Sequence, residues 1–198
     1  MDEGYVKYSA AHTQTEARIV PGWAELNQAR TALHGLGLIG ADSAGVGFGN
    51  LSIRFAEDRF LISGTATGAR AVLGPEDYCV VRSFDIEKNR LVSEGPIRAS
   101  SESMTHGSLY RHCPEVNCVI HIHSRAIFDG MAADGFPSSP ESARYGTPEI
   151  AMGVAEAAGG NQGRIVMLGH DGGIVCYGPT VSVTLSLTLD LHEKYGGN

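Results

Sequence analysis

In the run Val119-Ile120-His121-Ile122-His123-Ser124, two histidines occupy alternate positions of an apolar, β-branched stretch. Residues i and i+2 of a strand project from one face. His121 and His123 therefore point together, and Ile120 and Ile122 point the other way. Two adjacent imidazoles resist protonation, because each disfavours a second positive charge beside it. A divalent cation resolves the pair by accepting one nitrogen from each at roughly 2.0–2.1 Å. Taken alone, a His-x-His is as readily a pair of half-exposed histidines on an edge strand, because the motif is short.

Two further features favour the metal. His170 sits in Met167-Leu168-Gly169-His170-Asp171-Gly172-Gly173, a tight turn between two apolar segments. Sites collect at such strand ends, so His170 is a candidate third ligand, although an isolated turn histidine is usually just exposed. Upstream, Ser100-Ser101-Glu102 opens an expected helix. Two hydroxyls at a helix N-terminus suit an anion. The glutamate is a candidate general base toward a metal-bound substrate, against its plainer role as a capping carboxylate. Asn50-Leu51-Ser52 and Ser63-Gly64-Thr65-Ala66-Thr67-Gly68 are turns at strand ends that could cradle a phosphate, although such turns are common. His106, on the same helix as Glu102, is a possible site neighbour, and His112 is expected on the surface.

Those residues need a scaffold. Trp23, Leu26, Ala29, Arg30 and Leu33 recur at helical spacing and predict a helix from Trp23 to Leu36, ended by Gly35 and Gly37. Ser43 to Gly49 is a flexible, Gly-rich segment whose spacing does not fit a nucleotide-binding loop. Asn50 to Phe55 and Arg59 to Ser63 form a hairpin around Glu57-Asp58, and Tyr78 to Arg82 is a third strand. A helix is expected from Ser100 to His112, capped by Ser100 or Ser101, with Glu102 in its first turn and Pro114 beyond its end. Val116 to His123 reads as a strand, and Pro148 to Ala158 as a helix with proline at its first position. Arg164 to Leu168 and Ile174 to Tyr177 are two more strands. Val181, Val183, Leu185, Leu187, Leu189 and Leu191 alternate strictly, a strand pattern, yet an apolar stretch of this length after Pro179 suits a buried helix equally. The least organised stretches are residues 1 to 20 and the segment from Gly135 to Thr147, the latter a candidate lid or subunit contact.

The bulk numbers narrow the function class. With 198 residues, 42% hydrophobic and 19% charged, the chain suits one globular domain with a real core. Its net charge of −7 argues against a nucleic-acid partner, which wants a basic face. No apolar run is long enough to span a bilayer, and Met1 to Tyr8 contains no apolar core of a secretory signal. Cys79, Cys113, Cys118 and Cys176 form no Cys-x-x-Cys pair; they read as buried small hydrophobes, and a reducing cytoplasm is the simplest compartment.

The order of the pieces carries more than any one of them. Gly49-Asn50-Leu51-Ser52-Ile53-Arg54, Ile62 to Gly68, Ser100-Ser101-Glu102, His121-Ile122-His123, Tyr145-Gly146-Thr147-Pro148-Glu149 and His170-Asp171-Gly172-Gly173 together resemble the class II aldolase/adducin family across about residues 23 to 195. The resemblance implies a three-layer α/β/α fold around a central, mainly antiparallel sheet. It divides the chain into an extension of residues 1–22 and a domain of residues 23–198, and it implies a helix at the tail and a homotetramer with sites near subunit interfaces. It further implies zinc, or another divalent ion such as Mn2+, Co2+ or Fe2+, held by His121, His123 and His170. Glu102 matches the family's acid/base glutamate; Asn50, Thr67, Gly68, Ser100 and Ser101 match positions that bind substrate phosphate. The implied activity is an aldolase-type lyase acting on a small keto-sugar or sugar phosphate through a metal-stabilised enediolate. Epimerases, dehydratases and decarboxylases share that site, and the adducin branch is a scaffold without the histidines.

Two departures stand out. The family's third histidine directly precedes a glycine, whereas here Asp171 intervenes. Counting back from Gly178, an ungapped match would put Gly172 in the ligand place, so His170 serves as ligand only through a turn two residues longer, or with help from Asp171. The loop from Ser63 to Gly68 is also longer than in the phosphate-sugar aldolases, and no tyrosine acid is assigned.

Overall fold

The computed structural model describes residues 8–196, so most of the Met1 to Tyr8 segment read above for a signal lies outside the described residues. In chain order the elements are β1 (Ser9–Gln14), α1 (Trp23–Gly35), β2 (Gly40–Ala41), β3 (Gly47–Phe48), β4 (Asn50–Ala56), β5 (Arg59–Ser63), β6 (Tyr78–Asp85) and β7 (Arg90–Gly95). There follow α2 (Ser103–His112), β8 (Cys118–His123), α3 (Arg125–Ala133), β9 (Ser138–Ser139), α4 (Pro148–Ala157), β10 (Gly163–Met167), β11 (Gly173–Gly178) and α5 (Val181–Tyr195).

The main sheet runs β1-β7-β6-β5-β4-β8-β11-β10-β9, with β2 and β3 as a separate ribbon. Only its two edge pairings, β1 with β7 and β9 with β10, are parallel. Period-two alternation builds the layers. In β8, Cys118, Ile120 and Ile122 face a core shared with Leu26 and Leu33 of α1, Ile127 and Met131 of α3, and Leu191 of α5. Val119 faces the opposite core, with Leu109 and Tyr110 of α2 and Ile150 and Val154 of α4. The sheet is thus sandwiched between helices on both faces, the expected three-layer arrangement. By that alternation the β8 histidines lie on the α2/α4 side, at the strand's C-terminal end.

Two local expectations need correction, and the tail, whose alternation suited a strand, is the helix that the resemblance implies. The α2 helix begins at Ser103 rather than Ser100, with Glu102 at its N-cap and no side-chain cap. Residues 100 to 102 instead form a turn in which the Ser103 amide and hydroxyl both donate to the Ser100 carbonyl, at 3.1 and 2.6 Å. The stretch from Val181 is a helix despite its alternation. Thr180 caps it by accepting from the Val183 amide. The face it buries comprises Val181, Thr184, Thr188 and Leu191, and the Thr184 and Thr188 hydroxyls donate one turn back, at 2.8 and 2.9 Å. Satisfied threonines, not leucines alone, make the inner face, so the alternating leucines misled. Finally, the polar start is not unstructured throughout: β1 extends the sheet edge along β7.

No helix among the described residues is long and apolar enough to cross a membrane. All four cysteines are free and buried.

Candidate metal centre

Sheet register sets the first two candidate ligands. His121 lies between Asn50 of β4 and Val175 of β11. Its Nδ1 is 3.0 Å from the Ile174 carbonyl oxygen. A carbonyl only accepts, so Nδ1 carries the proton and Nε2 offers its lone pair. That Nε2 lies 3.0 Å from His123 Nε2. A carbonyl behind the ring is the usual device that fixes tautomer and direction in a ligating histidine. Burial, then the neighbouring His123 and His170, hold the His121 pKa well below the ordinary imidazole value. The ring therefore stays in the neutral form a metal needs.

His170 arrives from the β10–β11 turn. Its amide donates to the Met167 carbonyl and its own carbonyl accepts from Gly173, at 2.8 and 2.9 Å. Gly172 closes the turn with a φ of 73°, a conformation that disfavours side-chain-bearing residues. The extra length absorbs Asp171 and Gly172 and returns the His170 ring to the others, with centroids 5.2 Å from His121 and 4.7 Å from His123. One potential ligand atom from each of the three histidines lies within 4.8 Å of the other two. That spread is slightly wider than donors about 2.0–2.1 Å from one ion would show. Three histidine nitrogens form the donor set of a catalytic zinc-type site, which keeps a fourth position open.

Glu102 Oε1 lies 3.6 Å from His170 Nδ1. Its other oxygen accepts from Thr105 Oγ1 at 2.7 Å, which orients the carboxylate from within the first turn of α2. Asn50, Thr67, Gly68, Ser100, Ser101, Glu102, His121, His123 and His170 all line one cleft. The structure thus brings together every residue the sequence singled out for the site. Asn50 Oδ1 is buried in the cleft wall and accepts no hydrogen bond among the described residues.

Sequence reasoning missed two aromatic walls. The Phe48 ring stands 5.5 Å from His123, and the Tyr145 ring 4.7 Å from His170; both line the cleft. Neither has a local signal, because each sits in a loop or two-residue strand rather than a periodic element. The segment leading to Tyr145 packs closely on the His170 turn: a Cβ on Gly169 would collide with the Ala143 carbonyl oxygen, so the glycine before His170 admits the Glu141 to Ala143 backbone. His106 lies beneath the cleft, fully buried, with Nδ1 2.7 Å from Ser52 Oγ. His112 is exposed.

A sequence profile described as the Class II Aldolase and Adducin N-terminal domain matches residues 38–194. Among curated proteins, a methylthioribulose-1-phosphate dehydratase from Sorangium cellulosum is 39% identical over 79 residues, 39% of this chain and 34% of that protein. Among solved structures, L-fuculose-1-phosphate aldolase from Thermus thermophilus superposes with a TM-score of 0.62 at 24% identity, covering 86% of this chain and 89% of that one. YgbL from Klebsiella pneumoniae gives a TM-score of 0.64 at 20% identity over 86% and 84% of the two chains.

Proposed function

The chain belongs to the class II aldolase and adducin family, and on that premise we propose that it is a metal-dependent lyase of the aldolase type acting on a small keto-sugar or sugar phosphate. One observation carries the reading: three imidazoles converge on one point with Glu102 Oε1 3.6 Å from His170. His121, His123 and His170 would each give one ring nitrogen to a divalent cation, zinc or a similar ion. Such an ion, when bound, supplies Lewis-acid stabilisation of negative charge on substrate oxygen.

The chain's own groups do the rest. Glu102 exchanges a proton with the substrate carbon that keeps the bonding electrons when the carbon–carbon bond breaks. Thr105 holds one of its oxygens and so orients the carboxylate for that transfer. Asn50, Ser100, Ser101 and the Thr67-Gly68 turn bind the polar end of the substrate. Phe48 and Tyr145 flank His123 and His170 and exclude water from the reacting centre. The setting we infer is a cytoplasmic homotetramer.

Similarity to the Sorangium dehydratase favours a second reading, in which the same base and metal ligands eliminate water instead of splitting a carbon–carbon bond. The test is an assay of metal-loaded and metal-stripped protein against keto-sugar phosphates and their unphosphorylated counterparts. Metal-dependent release of an aldehyde supports the aldolase, and a dehydrated dicarbonyl product supports the alternative. No metal-dependent turnover of any substrate would leave the scaffold role of the adducin branch.

A further inference from the structure

Arg30 lies outside the cleft but directly behind one of its walls. It projects from α1 and is only 2% exposed. No carboxylate pairs with it among the described residues. Its guanidinium instead donates to three carbonyls of one loop: Nη1 to Ala71 at 2.9 Å, and Nη2 to Thr67 at 2.9 Å and Gly68 at 3.0 Å. Burial lowers its pKa, but arginine remains charged. One turn earlier on α1, Asn27 ties down the same loop by donating to the Leu73 carbonyl at 2.9 Å. The hydrogen bonds of Arg30 all go to carbonyls of this one loop, while, without a hydrogen bond to it, the Asp77 carboxylate favours its charge and Arg70 opposes it.

Peptide geometry fixes what this loop turns the other way. In a trans peptide the N–H points opposite its C=O, and no cis peptide occurs in the described chain. The carbonyls of Thr67 and Gly68 face Arg30, so the amides of Gly68 and Ala69 face away from it. The Gly68 nitrogen stands 3.2 Å from where a Cβ on Gly47 would be. Gly47 and Gly68 both line the cleft and pack backbone to backbone, since a Cβ on Gly68 would meet the Phe48 nitrogen at 2.8 Å and the Gly47 Cα at 2.9 Å. Among the described residues, the Gly68 amide donates to no backbone acceptor, and no Lys or Arg side chain lines the cleft.

We propose that Arg30 is a positioning residue for an oxyanion of the substrate, turning the Thr67 and Gly68 carbonyls inward so that the Gly68 amide faces the cleft. Its charge also raises the potential of that wall from behind, which a cleft without cationic side chains otherwise lacks. This rests on the reading of the Thr67-Gly68 turn as the subsite for the substrate's polar end.

The test uses zinc-loaded protein labelled with 15N-glycine and titrated with inorganic phosphate. In the wild type the Gly68 amide resonance shifts saturably. Arg30→Gln, with unchanged circular dichroism and metal content, weakens phosphate binding about tenfold or more, the scale of one charge-assisted hydrogen bond. Arg30→Lys, which keeps the buried cation with fewer donors, falls between the two. Binding by Arg30→Gln within about twofold of the wild type, with the same amide shifts, overturns the proposal while leaving the subsite intact. Where Arg30→Gln does not fold, Arg30→Lys decides, and wild-type affinity in that variant overturns it. If phosphate leaves the wild-type Gly68 amide unmoved, the subsite reading fails first and the role of Arg30 falls with it.

Discussion

His121 Nε2 and His123 Nε2 stand 3.0 Å apart at the end of one strand, while the opposite nitrogen of His121 is committed to the Ile174 carbonyl. A single β8 strand thus presents one fixed lone pair and one neighbour toward the same point, and the β10–β11 turn brings the third ring to it. Much of the functional account follows from this relationship.

Glu102 is the group expected to move the proton; one of its oxygens accepts from Thr105 and the other lies 3.6 Å from His170 Nδ1, and glutamine keeps that shape. Glu102→Gln should therefore retain the metal at the wild-type stoichiometry and lose about 10²- to 10⁴-fold in kcat, the usual contribution of a positioned acid or base. Steady-state kinetics beside elemental analysis checks this. A fully active Glu102→Gln would remove Glu102 from the reaction.

Burial pushes the His106 pKa down to about 3, below the ordinary histidine value of about 6.5. The unfolded chain then binds more protons than the folded one at intermediate pH, so stability falls with acidification. The loss begins as pH drops through about 6.5 and continues toward 3, reaching roughly 3 kcal/mol by about pH 4. Urea midpoints measured across this range should fall less steeply in His106→Gln than in the wild type. Parallel curves would mean that His106 is not buried in its neutral form.

Tyr8 reaches from the chain's start to the segment that carries Glu102. Its hydroxyl lies 3.0 Å from the Ala99 carbonyl and 3.1 Å from that of Ser100. Tyr8→Phe removes the donor and leaves both oxygens without it. The expected loss is about 1–2 kcal/mol of stability, measured by chemical denaturation, with a raised KM because Ser100 and Ser101 line the cleft. Unchanged stability and KM would show that residues before Trp23 contribute nothing to the site.

The parts of this architecture that follow from short-range rules were legible in the sequence. Strand period alone put His121 and His123 on one face, and helical spacing placed Arg30 on the buried face of α1 beside Leu26, Ala29 and Leu33. What depended on distant partners was not. β1 is a strand because β7, about eighty residues on, offers it an edge. The α3 helix is only nine residues long, capped by Ser124, and too short to establish a period. The α5 alternation points to a strand until the Thr184 and Thr188 hydroxyls are seen bonded one turn back. Phe48 and Tyr145 reach the cleft through loops whose course no local pattern encodes, and the charge of Arg30 gives no hint that it fastens a loop forty residues away.

The central claim is that His121, His123 and His170 hold one divalent cation. Elemental analysis of purified protein, with His121→Ala purified in parallel, tests it most directly. The account predicts close to one zinc or similar ion per wild-type chain and essentially none in a folded His121→Ala. A wild-type chain that folds, is offered zinc and retains none would contradict it, as would a His121→Ala variant that keeps a full complement.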